Sequence, residues 1–368
     1  MLIPLAEATA EVCGGKAGGL GALLRAGFPV PDGVVVPPDG LDVDELGRWL
    51  ASAGDPPVAV RSSASNEDTA LTSAAGQHDS FLAVQGVTAV VDAVRACRSS
   101  LWSPRATAYR KGSAVPSMSV IVQHHVDADI SGVLFTGPTT VIEASWGLGP
   151  TVVEGRTTPD HYEITAGSVT STIPDKPTSL HRDGSGLITR AVPAMRRRTP
   201  TLTDATAVRL ANLGHCVASL LGAPQDIEWA IAGDALWLLQ TRPITAELPR
   251  SADPHPAPLT GTPGSHGTAT GPARIVRGPA DFPHVIPGDI LVCPHTDPAW
   301  TPLLTIAAGV ITETGGLLSH AAIVAREHGI PAVLAVPHAT TKIRNDTPTT
   351  LHGTTGTIHL QPKPEQRV

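Results

Sequence analysis

Short runs of β-branched and apolar residues alternate with stretches of helical period through the first two thirds of the chain. Val58–Ser63 (VAVRSS), Ser119–Val126 (SVIVQHHV), GVLFTG, TVIEAS and ALWLLQT read as strands: they are short, rich in Val, Ile, Leu, Phe and Thr, and bounded by turn residues. Leu41–Ala53, Val87–Tyr109 and Asp204–Leu221 repeat their apolar positions every three to four residues, which predicts helices. Further on, Ala273–Gly278 (ARIVRG), Asp289–Pro294 (DILVCP) and Gly309–Thr314 (GVITET) predict strands ahead of a helix that begins near His320. The mixture predicts an α/β (α+β) protein.

Two stretches break this pattern. Ser171–Thr206 is rich in Thr, Pro, Arg and Asp and includes Arg196, Arg197 and Arg198, which predicts a long solvated surface excursion. Glu247–Pro258 (ELPRSADPHPAP) holds four prolines and few apolar anchors, as a semi-rigid linker does. The expected division is therefore a domain over 1–246, a linker over 247–259 and a domain over 260–362. No internal repeat is visible.

Composition narrows the function classes. The 368 residues suffice for two or three domains at roughly 150 each. Lys and Arg number 26 against 33 Asp and Glu, a net charge of −7, so no basic excess favours nucleic acid or an acidic membrane surface. The four cysteines, Cys13, Cys97, Cys216 and Cys293, form no CxxC pair, which suits a reducing cytoplasm. No apolar run approaches the ~18 residues of a membrane span.

Four constellations carry candidate chemistry. Gly14-Gly15-Lys16-Ala17-Gly18-Gly19 is a glycine turn feeding a helix, with one of only five lysines of the chain inside it. Such a turn lets backbone N–H groups approach phosphate oxygens, although a glycine-rich helix start is also an ordinary turn. Val60-Arg61-Ser62-Ser63 ends a strand with a guanidinium and two hydroxyls, and Gly76 to Phe81 follows; Arg61 suits polyphosphate, but taken alone it reads as a surface arginine with a carboxylate partner such as Glu67 or Asp68. Glu228 and Gln240 face each other if Ala232-Gly233-Asp234 joins two strands, giving the hard oxygen donors Mg²⁺ requires, with Arg242 on the same face; plain cross-strand pairing gives the same pattern. Finally, Thr314-Gly315-Gly316-Leu317-Leu318-Ser319-His320 sets an imidazole at a helix start, where a phosphoryl group would be stabilised; a histidine packed near a cap is the alternative.

Taken together and in order, GGKAGGLGALLRAGFPVPDGVVV, AVRSSASNED, AGQHDSF, GVLFTG, VIEASWGLG, RTTPDHYEI, PQDIEWAI, LLQTRPIT, TDPAWTPLL and TGGLLSHAAIVAREHGIPAV resemble the phosphoenolpyruvate synthase and pyruvate phosphate dikinase superfamily, most closely its rifampin phosphotransferase branch. The resemblance implies an ATP-grasp nucleotide-binding domain followed by a swivelling β/β/α phosphohistidine domain. It implies that Lys16, Arg61 and Arg242 bind the ATP phosphates, that Gly76 and Ser80 line them, and that Gln123 sits at the adenine hinge. Glu228 and Gln240 would ligate Mg²⁺, Glu143 would support the nucleotide site, and His320 would carry the phosphoryl group. Ser80 replaces the family's more frequent threonine and keeps the hydroxyl, whereas His124-His125 replaces apolar hinge residues.

The implied activity is an ATP-dependent dikinase-type phosphotransfer, with AMP and phosphate released and the group passed from His320 to an acceptor. The family's long acceptor-binding domain has no counterpart between or beside these segments. The expected acceptor is a small hydroxylated metabolite or antibiotic-type compound, or else a separate protein supplying the acceptor domain.

Overall fold

The computed structural model describes residues 1–67, 78–103, 106–107, 115–184, 186–244, 248–249, 257 and 259–361. The described chain falls into two units, Met1–Gly149 with Asp160–Thr245, and Pro150–Pro159 with Ala246–Val368. Most of the proline-rich stretch 247–259 lies outside the described residues, as does Gly76.

In the first unit, a five-stranded antiparallel sheet runs in the order Ile3–Pro4, Gly33–Val36, Met118–His124, Val58–Ala64, Ser80–Val84. Its central strands are buried at nearly every position because both faces are covered. Pleating sends Val34, Val36, Val120 and Val122 to one side, where they pack with Leu46 and Leu50 of helix Val43–Ser52 and Val90 and Val94 of helix Val87–Ser99. Val35 and Ile121 point the other way, into the cluster that holds Ala17, Leu20 and Leu23 of helix Gly15–Arg25.

A six-stranded antiparallel sheet completes this unit, in the order Ala235–Pro243, Gln225–Ala232, Ile130–Phe135, Thr140–Trp146, Asp160–Thr165, Ser168–Thr172. Helix Asp204–Leu221 covers it with Ala207, Leu210, Ala211 and Val217 against Leu134, Ile142, Tyr162 and Ile227. That helix has the expected bounds, and its ends show why. Thr203 accepts a hydrogen bond from the Thr206 amide at the start, and Gly222 takes the left-handed conformation, φ 75°, at the end. The helix expected over Val87–Tyr109 is shorter, stopping at Ser99 before a 3₁₀ turn over Ser100–Trp102.

The surface excursion expected over Ser171–Thr206 is corrected. Strand Ser168–Thr172 joins the sheet edge, and Thr178–Asp183 pairs with Gly186–Ala191 as a two-stranded hairpin. The segment is pinned by Lys176, which is fully buried and ion-paired with the equally buried Asp160, and by Arg197, whose Nε and Nη2 donate to the two Asp175 oxygens at 2.7 and 2.6 Å. Asp160 also accepts from the Thr201 amide at 2.7 Å.

The second unit is built on an eight-stranded mixed sheet in which Thr268–Ile275, Ile290–Cys293, Gly309–Thr312 and Ala332–Leu334 run parallel at the centre. Alternation again assigns the faces. Leu291, Cys293 and Val310 pack with Ala321, Ala322 and Val324 of helix His320–His328, while Ile290, Val292 and Ile311 pack with Val336, Ala339 and Ile343.

Asp160→Asn leaves the Lys176 ammonium buried without its counter-charge, which should cost about 3–5 kcal/mol of stability by urea denaturation. Removing both charges in Asp160→Asn/Lys176→Met should recover much of that loss. Equal destabilisation of the single and double variants would contradict the pairing.

Candidate functional site

The hairpin Gln225–Ala232/Ala235–Pro243 is the floor of the candidate site. Gly233 turns it with φ +57°, and the register pairs Glu228 with Gln240 and Asp226 with Arg242. Directly paired residues share a face, so two oxygen-bearing pairs stand side by side. An irregularity follows Glu228, where Trp229 pairs with Leu238 and Leu239 is skipped. The bulge leaves the Leu239 carbonyl outside the ladder, and Arg61 takes it.

Arg61 comes from strand Val58–Ala64 of the five-stranded sheet. Its Nη1 donates to Leu239 O at 2.6 Å, and its Nη2 donates to Glu228 Oε2 at 2.7 Å and Gln240 Oε1 at 3.1 Å. The partner is therefore Glu228 rather than the nearby Glu67. Arg242, itself buried, donates from Nε to Asp226 Oδ2 at 2.7 Å.

Lys16 lies in the first turn of helix Gly15–Arg25, buried, with Nζ 3.8 Å from Glu67 Oε1. Both hydroxyls of Ser62-Ser63 are spent on holding this arrangement. Ser62 Oγ donates to Glu67 Oε1 at 2.9 Å, while Ser63 Oγ donates to Cys13 O at 2.6 Å and accepts from Ala17 N at 3.0 Å. Both are buried groups that hold the local structure. Gly14, at φ +83°, is needed here, since a Cβ would sit 2.4 Å from Ser63 O. Burial opposes the charge of Glu67, but Lys16, His78, the Ala64 amide and Ser62 outweigh it and hold the carboxyl below its ordinary value.

The row of cross-strand partners continues across the sheet from Glu228 through Val133 and Glu143 to His161. Glu143 is buried, and its Oε1 lies 3.6 Å from His161 Nδ1; His161 Nε2 lies 3.3 Å from Glu163 Oε1. Burial disfavours an imidazolium at His161, but Glu143 and Glu163 prevail and raise its pKa above the ordinary value. Gln123 is buried and gives its amide to Pro31 O at 2.8 Å. Ser80 is exposed and pairs in register with Arg61.

In the second unit His320 opens its helix behind Ser319 and is 3% exposed. Thr296 Oγ1 is 2.9 Å from Nδ1 and Thr301 Oγ1 is 3.4 Å from Nε2. Gly155 backs onto the Gly315–Ser319 turn and accepts from Thr314 Oγ1 at 2.6 Å.

Arg61, Glu228, Gln240 and Arg242 are thus brought together on the hairpin of the first unit, Lys16 is paired with Glu67 at the start of its helix, and His320 lies in the second unit. Sequence reasoning missed Glu67 as the partner of Lys16, Asp226 as that of Arg242, and the two threonines at His320. Asp226 was within reach of it, because the offset that pairs 228 with 240 pairs 226 with 242.

The family of pyruvate phosphate dikinase AMP/ATP-binding domains matches residues 41–259, and that of PEP-utilising enzyme mobile domains matches residues 285–356. The chain is 33% identical over 418 residues to a probable phosphoenolpyruvate synthase of Methanothermobacter thermautotrophicus, covering 95% of this chain and 61% of that one. It is 36% identical over 332 residues to the phosphoenolpyruvate synthase of Pyrococcus furiosus, covering 82% and 41% respectively. Against a probable phosphoenolpyruvate synthase of Archaeoglobus fulgidus the figures are 32% over 421 residues, 94% and 56%. The chain therefore spans only about two to three fifths of the length of these relatives. Among the described residues no helix is long and apolar enough to cross a membrane.

A histidine with a raised pKa stabilises the fold fully below its unfolded pKa, and that contribution is lost as pH rises through the folded value. The unfolding midpoint should accordingly fall as pH rises above 6.5, the ordinary histidine value, and His161→Gln should remove that step. Superimposable pH profiles of the two proteins would contradict the assignment.

Proposed function

The chain belongs to the PEP-utilising enzymes with a pyruvate phosphate dikinase AMP/ATP-binding domain, and we propose that it is an ATP-dependent dikinase-type phosphotransferase whose phosphoryl carrier is His320. The observation that supports this reading is the hairpin face itself: the Arg61 guanidinium meets Glu228 and Gln240 there, and Arg242 with its partner Asp226 stands beside them in register, within the matched nucleotide-binding region.

On this reading the ATP phosphates bind against Lys16, Arg61 and Arg242, with Gly76 and Ser80 beside them and Gln123 at the base. Arginine suits the task because its planar fork takes two oxygens and stays charged. Polyphosphate arriving at the hairpin competes for the Arg61 donors now spent on Glu228, Gln240 and Leu239 O, and frees those oxygens as it does so. Glu228 and Gln240 fit Mg²⁺: both offer oxygen, a hard donor, and both converge on a single cationic nitrogen. Magnesium, when bound, supplies charge neutralisation on the phosphate oxygens and a template for in-line transfer. Glu143 supports the same face through its buried contact with His161.

The chain's own work is positioning and electrostatics. Glu67 offsets the buried charge of Lys16 when the phosphates are away, and Asp226 does the same for Arg242. The imidazole of His320 attacks the β-phosphorus as the bond to AMP breaks, water takes the terminal phosphoryl group as phosphate, and the loaded histidine delivers its remaining group to an acceptor. For that acceptor the relatives' name, phosphoenolpyruvate synthase, favours the pyruvate and phosphoenolpyruvate pair. A hydroxylated metabolite or antibiotic-type compound, or a separate acceptor-domain protein, finds no support among these relatives.

Incubated with Mg²⁺ and ATP, the protein should gain one phosphoryl group in intact mass and form AMP, and His320→Ala and Glu228→Ala should each abolish both. Added pyruvate should discharge the label as phosphoenolpyruvate. Persistent labelling of His320→Ala, or ADP as sole product, would overturn the dikinase reading.

A further inference from the structure

Strands Thr140–Trp146 and Asp160–Thr165 are antiparallel neighbours in one sheet, yet the chain between them runs through residues 147–159, far beyond the roughly two to five residues that such a turn needs. The excess is an ordered element. At its start Gly147 O accepts from Ser131 Oγ at 2.6 Å and Leu148 N donates to Leu180 O at 2.9 Å, and at its end Asp160 makes the buried ion pair with Lys176. Between these stems Glu154 N donates to Pro150 O at 2.9 Å, Gly155 N to Val152 O at 3.0 Å and Thr157 N to Thr151 O at 3.3 Å. The loop is closed on itself and held at both ends.

Residues 150–159 are part of the unit that bears His320, and their tip meets the turn ahead of it. Thr314 Oγ1 donates to Gly155 O at 2.6 Å, with Pro294 O at 3.1 Å as a second acceptor. Gly155 has φ +67°, and a Cβ there would lie 3.3 Å from both Gly315 Cα and Ser319 Cβ, so the two ends of the turn that leads into His320 rest on this one residue. The strands that hold the stems carry Glu143 and His161, paired in register and 3.6 Å apart. Whatever alters the spacing of that strand pair is therefore passed through a stiff loop to the histidine's turn.

We propose that residues 150–159 are a positioning element that links occupancy of the nucleotide face to the posture of the His320 turn, with the Thr314–Gly155 hydrogen bond as its joint. This rests on the nucleotide and carrier readings given above. The turn has two postures. With the joint made, Gly315 and Ser319 are seated against Gly155 and the histidine is held in one place; with the joint broken, Thr314 falls back on Pro294 O and the turn loosens. A ligand shifts such a balance only by favouring one side of it. One that lies along the row Glu228, Val133, Glu143 and His161 bears on the strands that hold the stems, and so favours the made joint. Gly155 and Thr314 touch no phosphorus in this scheme. Both are positioning residues, acting through the backbone that carries the histidine.

The test combines equilibrium dialysis of a non-hydrolysable MgATP analogue, hydrogen–deuterium exchange of the peptide over residues 314–320, and single-turnover labelling across MgATP concentrations. In the wild type the bound analogue should slow exchange of that peptide; Thr314→Val should bind the analogue equally well and lose the protection. Thr314→Val should slow labelling about 3- to 10-fold, the scale of one neutral hydrogen bond, at an unchanged half-saturating MgATP concentration, and Thr314→Ser should restore the rate. Gly155→Ala, which presses a methyl group onto the turn, should slow labelling at least as much. A wild type that binds the analogue without protecting the turn would overturn the proposal, as would Thr314→Val labelling at the wild-type rate. A wild type that does not bind the analogue would remove the nucleotide reading and the proposal with it. One that binds it and protects the turn, yet takes no label, would sink the carrier reading alone.

Discussion

The first unit depends on one guanidinium. Arg61 leaves a strand of the five-stranded sheet and ends on three acceptors of the hairpin at the edge of the six-stranded sheet. A largely buried cation must find acceptors, and a charge-assisted hydrogen bond contributes about 1.5–3 kcal/mol, so the two sheets are held by a contact that neither can forgo cheaply. The same contact decides what else is possible. Glu228 and Gln240 stay close because one nitrogen lies between them, and the bulge at Leu239 exists where its carbonyl is wanted.

Around that tie, the cations of the candidate site are each matched by an oxygen acid: Lys16 by Glu67, Arg61 by Glu228 and Arg242 by Asp226. Buried charge is tolerated only in such pairs. On the proposed reading, a ligand rich in negative charge would meet a surface already arranged in matched pairs and exchange partners, instead of meeting bare charges that would have destabilised the unit. Ser62 and Ser63 belong to this frame, since they fix Glu67 and the start of the Lys16 helix.

Much of this was legible in the sequence where local chemistry and burial agree. Helix Asp204–Leu221 carries its own cap and glycine stop, and the 225–243 hairpin announces itself through Gly233 and two apolar strands. The hairpin over residues 178–191 was not legible, because Gly186–Ala191 is exposed at every position and so has no two-residue apolar period to read. Nor was the partner of Arg61. Glu67 is six residues away in the chain, yet a contact 167 residues distant wins, because Lys16, the Ser62 hydroxyl and the Ala64 amide claim Glu67 first. The two threonines at His320 were visible as letters of a motif, but which of them meets which ring nitrogen depends on how the turn over Pro298–Trp300 lies against the helix.

The ten residues Pro150–Pro159 belong with the unit that bears His320, although the chain on both sides of them belongs to the other. Gly155 is in contact with the very turn that presents the histidine, and it takes the Thr314 hydroxyl on its carbonyl. The histidine-bearing part is thus discontinuous in sequence. A fragment cut after the proline-rich stretch would lack the piece that closes its own glycine turn, and grafting a mobile domain of this kind onto another nucleotide-binding partner means transplanting two segments, not one.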